Sequence, residues 1–333
     1  MNSSNNLVDQ TIYINVFNYL YLIVIIVGTL ANIMAFIIFS RKKFENTLFS
    51  TYFRVLLVID TIGLLYLASA KYLFLAYDIN IRDLNLILCR ITMPMAYSIP
   101  TISAHLTVVI SFDRWLSIAK PTLFLIRKTK KFQLNVCVMI ILVNFVYNGQ
   151  LFFSYIAIDP YENYDWEICL ILNENLLSTM DLINSTILPF FLMILFTSLT
   201  INSVFVSTNR IRNAIFGLKI SPINSDLISE CDKFRYRDIR LTINSIFLNI
   251  IFLLFNAPQS IFFFISKYFI IKSHYSNLYV QSVLILSYLN HASSFFINLT
   301  VNTQFRKELF SWFNEKKITF SKQFRSKQSQ SIN

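Results

Sequence analysis

Charged side chains are missing from seven long stretches of this chain, and that spacing constrains its fold more than any other feature. No Asp, Glu, Lys or Arg occurs in 10–40, 91–112, 132–158, 182–209, 241–266 or 273–305, and only Asp60 interrupts 55–70. A charge at the centre of a bilayer is costly, so charge-free runs measure membrane spans. All but the 55–70 stretch reach the roughly 20 residues that cross about 30 Å of hydrocarbon. That stretch suffices when it runs past Arg54 and Lys71, whose long side chains can reach back to the interfaces. Runs such as Ile23 to Ile26 and Phe262 to Phe264 are apolar on all sides, and the alternation of barrel strands is absent. The pattern predicts an all-α membrane protein, a seven-transmembrane helix bundle.

Composition excludes the alternatives. Apolar residues make up 55% of the chain and charged residues 14%, against about 45–50% and about 25% in ordinary soluble domains. A water-soluble fold of 333 residues needs more charge to cover its surface. Only 4 glycines occur, and there is no GxGxxG, GxxxxGK[ST] or HExxH pattern. Nothing points to an enzyme. A transporter or channel would predict internal repeats, paired broken helices and several intramembrane charges. No repeat is present, and the one deep charge is Asp60.

Lys and Arg set the orientation. Of 29 basic residues, 24 lie in or beside the first, third and fifth connections or after the last span. By the positive-inside rule these face the cytoplasm, so the N-terminus is outside and the C-terminus inside. Residues 1–11 then form an extracellular N-terminus and 12–303 a seven-span domain. Residues 304–314 form a short amphipathic eighth helix on the membrane surface, and 315–333 a disordered cytoplasmic tail. No basic residue precedes Arg41, so the first span reads as a retained anchor rather than a cleaved signal. The net charge of +11 is a topology signal and no argument for nucleic acid. The outer side carries 9 acidic and 5 basic residues. Such a vestibule favours cationic ligands; the alternative is a merely solvated acidic loop.

Of 4 cysteines, Cys89 starts the third span on its outer side and Cys169 lies in the second outer loop. Both face an oxidising compartment, where a bridge can persist. A Cys89–Cys169 bridge would pin that loop over the mouth of the bundle; the alternative is two unrelated thiols.

At the inner end of the third span stands Ser111-Phe112-Asp113-Arg114-Trp115, with Cys89 25 residues before Arg114 and Pro121 in the loop beyond. This stretch resembles the DRY box of rhodopsin-like (class A) G-protein-coupled receptors, with Trp115 in place of tyrosine. Gly28-Thr29-Leu30-Ala31-Asn32 is similar to the first-helix GxxxN signature, and Asp60 to the second helix's buried acid. Pro189 matches the fifth-helix proline, Phe252 and Pro258 the sixth-helix frame, and Phe305 to Phe310 the surface helix after the last span. The likeness covers residues 12 to about 314 and is strongest to neuropeptide receptors. The chain departs from the family where Asn256 replaces a sixth-helix tryptophan, Thr197 a fifth-helix tyrosine and Asn298 the tyrosine of NPxxY. Those losses leave open a degenerate receptor that does not couple.

The resemblance implies specific roles. Arg114 would pair at rest with Asp113 and with Asp238 on the sixth helix. Ligand binding would tilt that helix at Pro258, with Pro189 a second hinge, and open a cleft for a heterotrimeric G protein. Asn32, Asp60, Ser103, Asn290 and Ser294 align with residues that share a sodium ion with the buried acid. His291 stands beside them; its protonated ring would replace the ion and make signalling pH-sensitive. The alternative is a core histidine satisfied by its neighbours. Ser321, Ser326, Ser329 and Ser331 would serve receptor kinases and arrestin, unless the tail is only solvated.

For the ligand, the last span holds no lysine for a retinal Schiff base, and Ala96 stands where aminergic members carry an aspartate. Asp181 lies about 12 Å outward of Pro189 at 1.5 Å per residue, with Tyr97, Gln259, Phe263 and Tyr288 as candidate walls. An extracellular Arg- or Lys-bearing neuropeptide fits best, ahead of an odorant-like or lipid chemosensory ligand. The expected location is the plasma membrane, with the bilayer as a partner.

Overall fold

The computed structural model describes residues 2–45, 50–120, 122, 129–153, 155–158, 167–170, 174–217, 225–268 and 276–330. Helix α1 (Asn2–Phe39) leads through a one-turn helix, Lys42–Glu45, to α2 (Ser50–Tyr77) and α3 (Leu86–Ala119). Helix α4 (Lys130–Tyr147) runs on as 3-10 turns, Asn148–Phe153. A short antiparallel ribbon, β1 (Tyr155–Ile158) and β2 (Glu167–Leu170), follows. Helix α5 is built from Glu174–Asp181, a π turn Leu182–Ile187 and Leu188–Gly217. The last three are α6 (Ser225–Tyr268), α7 (Ser276–Val301) and α8 (Thr303–Gln330).

Among the described residues six helical stretches are long and apolar enough to cross a membrane: Tyr13–Phe39, Ser50–Tyr77, Leu86–Ala119, Lys130–Phe153, Thr179–Ser207 and Ile246–Ser266. Helix α7 stands where the seventh span is expected but is less apolar. Its Gln281, Ser287, Asn290, His291, Ser294 and Asn298 are buried in the bundle. Helix α7 packs between α1 and α6, while α3 runs through the middle against α2, α4 and α5. The outer surface is apolar: Val146, Phe153 and Phe205 are all more than 60% exposed. A patch of that kind on a water-soluble monomer would be a liability. Here it is the face of a multi-pass membrane protein.

Helix geometry is set by local chemistry. Asn85 caps α3 by accepting from the Leu88 N–H at 2.8 Å, and Thr129 caps α4 through Phe132 N–H. Asp78 ends α2 in the left-handed region, φ 58°, with its N–H returned to the last turn. Pro189 has no N–H and crowds the turn before it. The chain widens there into the π turn, in which Leu188 N–H reaches Ile183. Pro258 sits inside α6, which continues past it.

Two segments are more helical than their sequence alone suggests. Helix α8 extends through 315–330, where a disordered tail is expected, and α1 begins at Asn2, inside the expected extracellular stretch. Neither segment contains glycine or proline to stop a helix. The base of α8 is docked firmly. Phe305 is fully buried against Phe39 and Phe295, with ring centroids 5.3 and 5.7 Å away. Buried Glu308 takes Arg41 Nε at 3.1 Å and Lys43 Nζ at 2.5 Å. Arg41 also grips Glu315 with two bonds, holding that carboxyl below the usual carboxylate range.

Helices α1, α2 and α7 meet at Gly28. A Cβ there would lie 2.7 Å from Leu64 Cδ1 and 2.8 Å from Ala292 Cβ. Overpacking of this kind costs about 1–3 kcal/mol. Gly28→Ala should therefore lower the melting temperature of the purified protein, and Gly28→Ala with Ala292→Gly should recover most of the loss.

Candidate functional site

One end of the bundle is closed by a covalent tie. Cys89 and Cys169 are bridged, Cα to Cα 5.7 Å. Cys169 faces Ile156 across the ribbon, and its N–H donates to Asp83 Oδ1 at 3.0 Å. The ribbon is thus fixed both to α3 and to the 3-10 turn Ile81–Asp83. Residues 159–166 of the acidic loop lie outside the described residues.

Beneath the ribbon is a cavity of about 360 Å³. Tyr97 of α3, Asp181 of α5, Gln259 and Phe263 of α6 and Tyr288 of α7 all line it. Ser185 and Thr186, in the π turn next to Asp181, bond to Ser260 of α6 at 3.4 and 2.6 Å. Tyr288 donates its hydroxyl to the Leu67 carbonyl at 3.3 Å. Two cations, Lys71 and Arg82, also line the cavity, and sequence reasoning missed them. Helix α2 contains a π turn, Gly63–Ala68. The extra residue in that turn re-aims every side chain beyond it, and no proline announces it.

In mid-bundle, buried Asp60 accepts at one oxygen from Ser103 Oγ (2.8 Å) and from His291 Nδ1 (2.7 Å). A proton on Nδ1 makes the imidazole the donor to the carboxylate. Gly63 packs beside the ring, where a Cβ would lie in ordinary contact with His291 Cδ2 at 3.5 Å and tight against Ile99 Cγ2 at 3.2 Å. Asn32 donates Nδ2 to the His291 carbonyl at 3.0 Å, which joins α1 to α7. Asn290 and Ser294 are buried on the same helix, but neither hydroxyl nor amide reaches Asp60 within bonding distance. The structure brings Asn32, Asp60, Ser103 and His291 into one connected cluster.

At the opposite end of α3 from the disulfide, Asp113 and Arg114 are both buried, 0% and 4% exposed. Trp115 stacks on Phe196 of α5 at 6.2 Å and tilts against Phe112. Asp238 falls within α6, but its side chain lies outside the described residues, so the expected Arg114–Asp238 lock does too. A chain of bonds that sequence reasoning missed crosses nearby. Ser111 Oγ donates to Asn249 Oδ1 at 3.2 Å, and Asn249 Nδ2 donates to Thr197 Oγ1 at 2.8 Å. It joins α3, α6 and α5, and its α5 end is Thr197. Asn256 accepts from Ser287 of α7 at 3.1 Å. The visible signal was amides at positions 249 and 256 within the charge-free stretch 241–266, which demand partners.

No protein-family model matches the chain. It is similar to the FMRFamide peptide receptor frpr-18 of Caenorhabditis elegans, 26% identical over 139 residues. The match spans 40% of this chain and 32% of that receptor's length.

Removing one partner of a buried hydrogen bond costs about 1–3 kcal/mol, more when the group left behind is charged. His291→Leu should therefore strongly destabilise the purified protein in a thermal melt. Adding Asp60→Asn to it should restore part of the loss.

Proposed function

We propose that the chain is a rhodopsin-like G-protein-coupled receptor that transmits binding of an extracellular cationic peptide to a heterotrimeric G protein. The observation that carries this is the pairing of two ends of one helix. Residues of α3 line an outer cavity under a bridged ribbon, and the same helix ends inside with Asp113-Arg114-Trp115. The similarity to a peptide receptor supports it. In this reading α7 is the seventh span, the N-terminus is extracellular, and the protein sits in the plasma membrane. The first turns of helix α8 lie along the inner membrane surface, and Ser321, Ser326 and Ser329 farther along it, with Ser331 beyond, serve kinases and arrestin.

The ligand's guanidinium or ammonium meets Asp181, the acidic side chain of the cavity. Binding draws α5 and α6 together through the Thr186–Ser260 contact and shifts α6 about Pro258. That movement strains the Asn249 bonds to α3 and α5, releases Arg114 and opens the inner cleft. Ligand can bias this equilibrium only by its differential affinity for the two states. The polar chain through Asn249 takes over part of the work of the absent tyrosines, which favours a coupling receptor over a degenerate one.

The sodium ion expected at Asp60 does not suit these residues. Ser103 and His291 already satisfy one oxygen of Asp60, and an imidazole nitrogen stands where a hard cation needs oxygen donors. The His291 ring takes the ion's place.

Two measurements test the reading. In cells expressing the receptor, Asp181→Asn should weaken an Arg-bearing peptide agonist at least about tenfold, since a charge-assisted contact contributes about 1.5–3 kcal/mol. Unchanged potency would remove Asp181 from the pocket. Thermal stability of the purified receptor should be equal in sodium and choline chloride. His291→Ser should introduce a sodium dependence.

A further inference from the structure

We infer that the outer cavity holds a ligand segment carrying both signs of charge, its cation at Asp181 and a carboxylate at Lys71 and Arg82. This rests on reading the cavity as the ligand site, and it adds a second, anionic requirement. Asp181, Lys71 and Arg82 line the same space, the first on α5, the second on α2 and the third on the turn before α3. Among the described residues no cation lies within ion-pair distance of Asp181 and no carboxylate within that distance of Lys71. The Lys71 ammonium rests over the Phe74 ring, 5.8 Å from its centroid. Arg82 reaches Asp83 only at 3.9 Å, and that carboxylate is already engaged by Cys169 N–H and the Asn80 amide.

Opposite charges inside one low-dielectric cavity attract strongly when they can meet. Here they stand on separate elements, with Met93 and Phe263 also lining the cavity. Each unpaired charge is a cost to the free protein, and a complementary ligand removes both costs at once. A cavity of about 360 Å³ is at the small end of ligand sites. It takes the tip of a peptide, with an apolar side chain against Met93 and Phe263. The carboxylate has two sources, the peptide's own C-terminus or an Asp or Glu side chain.

The test uses the purified full-length protein and three small probes at millimolar concentration: Arg-Phe as the free acid, Arg-Phe-amide, and Glu-Arg-Phe-amide. A ligand that binds only the folded state raises the melting temperature by mass action, here by roughly 2–4 °C. At least one carboxylate-bearing probe should shift the melt more than Arg-Phe-amide. Which one does so identifies the source of the carboxylate. The excess should vanish in Lys71→Met, with Lys71→Gln as the second variant, and the remaining shift should vanish in Asp181→Asn. Equal shifts from all three probes, no shift from any, or an excess that survives both Lys71 variants would overturn the inference. The readout needs no G protein, so failure of coupling and failure of this charge pairing are told apart.

Discussion

Inside a lipid-facing bundle a polar group has no water to turn to, and the architecture follows from that single constraint. Several buried polar side chains become cross-links between helices, because the alternative is an unsatisfied donor or acceptor in hydrocarbon. Asp60 ties α2 to α3 and α7, Asn32 ties α1 to α7, and Asn249 ties α6 to both α3 and α5. Hydrophobic burial holds such helices together poorly, since lipid tails are as apolar as leucine. Close approach at Gly28 and these sparse bonds are what give the bundle a defined arrangement.

Helix α7 shows how the constraint selects sequence. It buries six polar side chains in the bundle core, yet it carries no Asp, Glu, Lys or Arg. Its amides, hydroxyls and imidazole can be satisfied by neighbours at two or three angstroms, whereas full charges could not. The one formal carboxylate at mid-depth, Asp60, is met there by the one imidazole, His291.

How much of this was legible in the sequence depended on whether one residue or many carried the signal. Span positions came from long charge-free runs, a signal summed over about 20 residues each, and the described helices follow them. The cavity residues Tyr97, Asp181, Gln259, Phe263 and Tyr288 could be placed by counting turns from Pro189 and Pro258, because α5 and α6 keep helical phase near those prolines. Lys71 could not. The π turn at Gly63–Ala68 packs against α1, α3 and α7 with no proline to mark it, and one residue of phase decides between lipid and cavity. The Ser111–Asn249–Thr197 chain was hidden for a different reason. Three polar residues on three helices meet only once the helices are packed. The reach of α8 and α1 beyond their expected ends reflects helix propensity in segments whose polarity alone suggested none.

The tie between Cys89 and Cys169 has a consequence for how the molecule is made. The two sulfurs are 80 residues apart, and all of α4 lies between them. The cross-link therefore cannot close while the ribosome is still delivering the third or fourth helix. Everything before Cys169 must be inserted with the right handedness before oxidation can capture it, so the thiols audit the first half of biosynthesis. A chain that threads α4 backwards leaves its sulfurs at opposite ends of the bundle and unjoined, a chemical mark by which misassembled copies differ from finished ones.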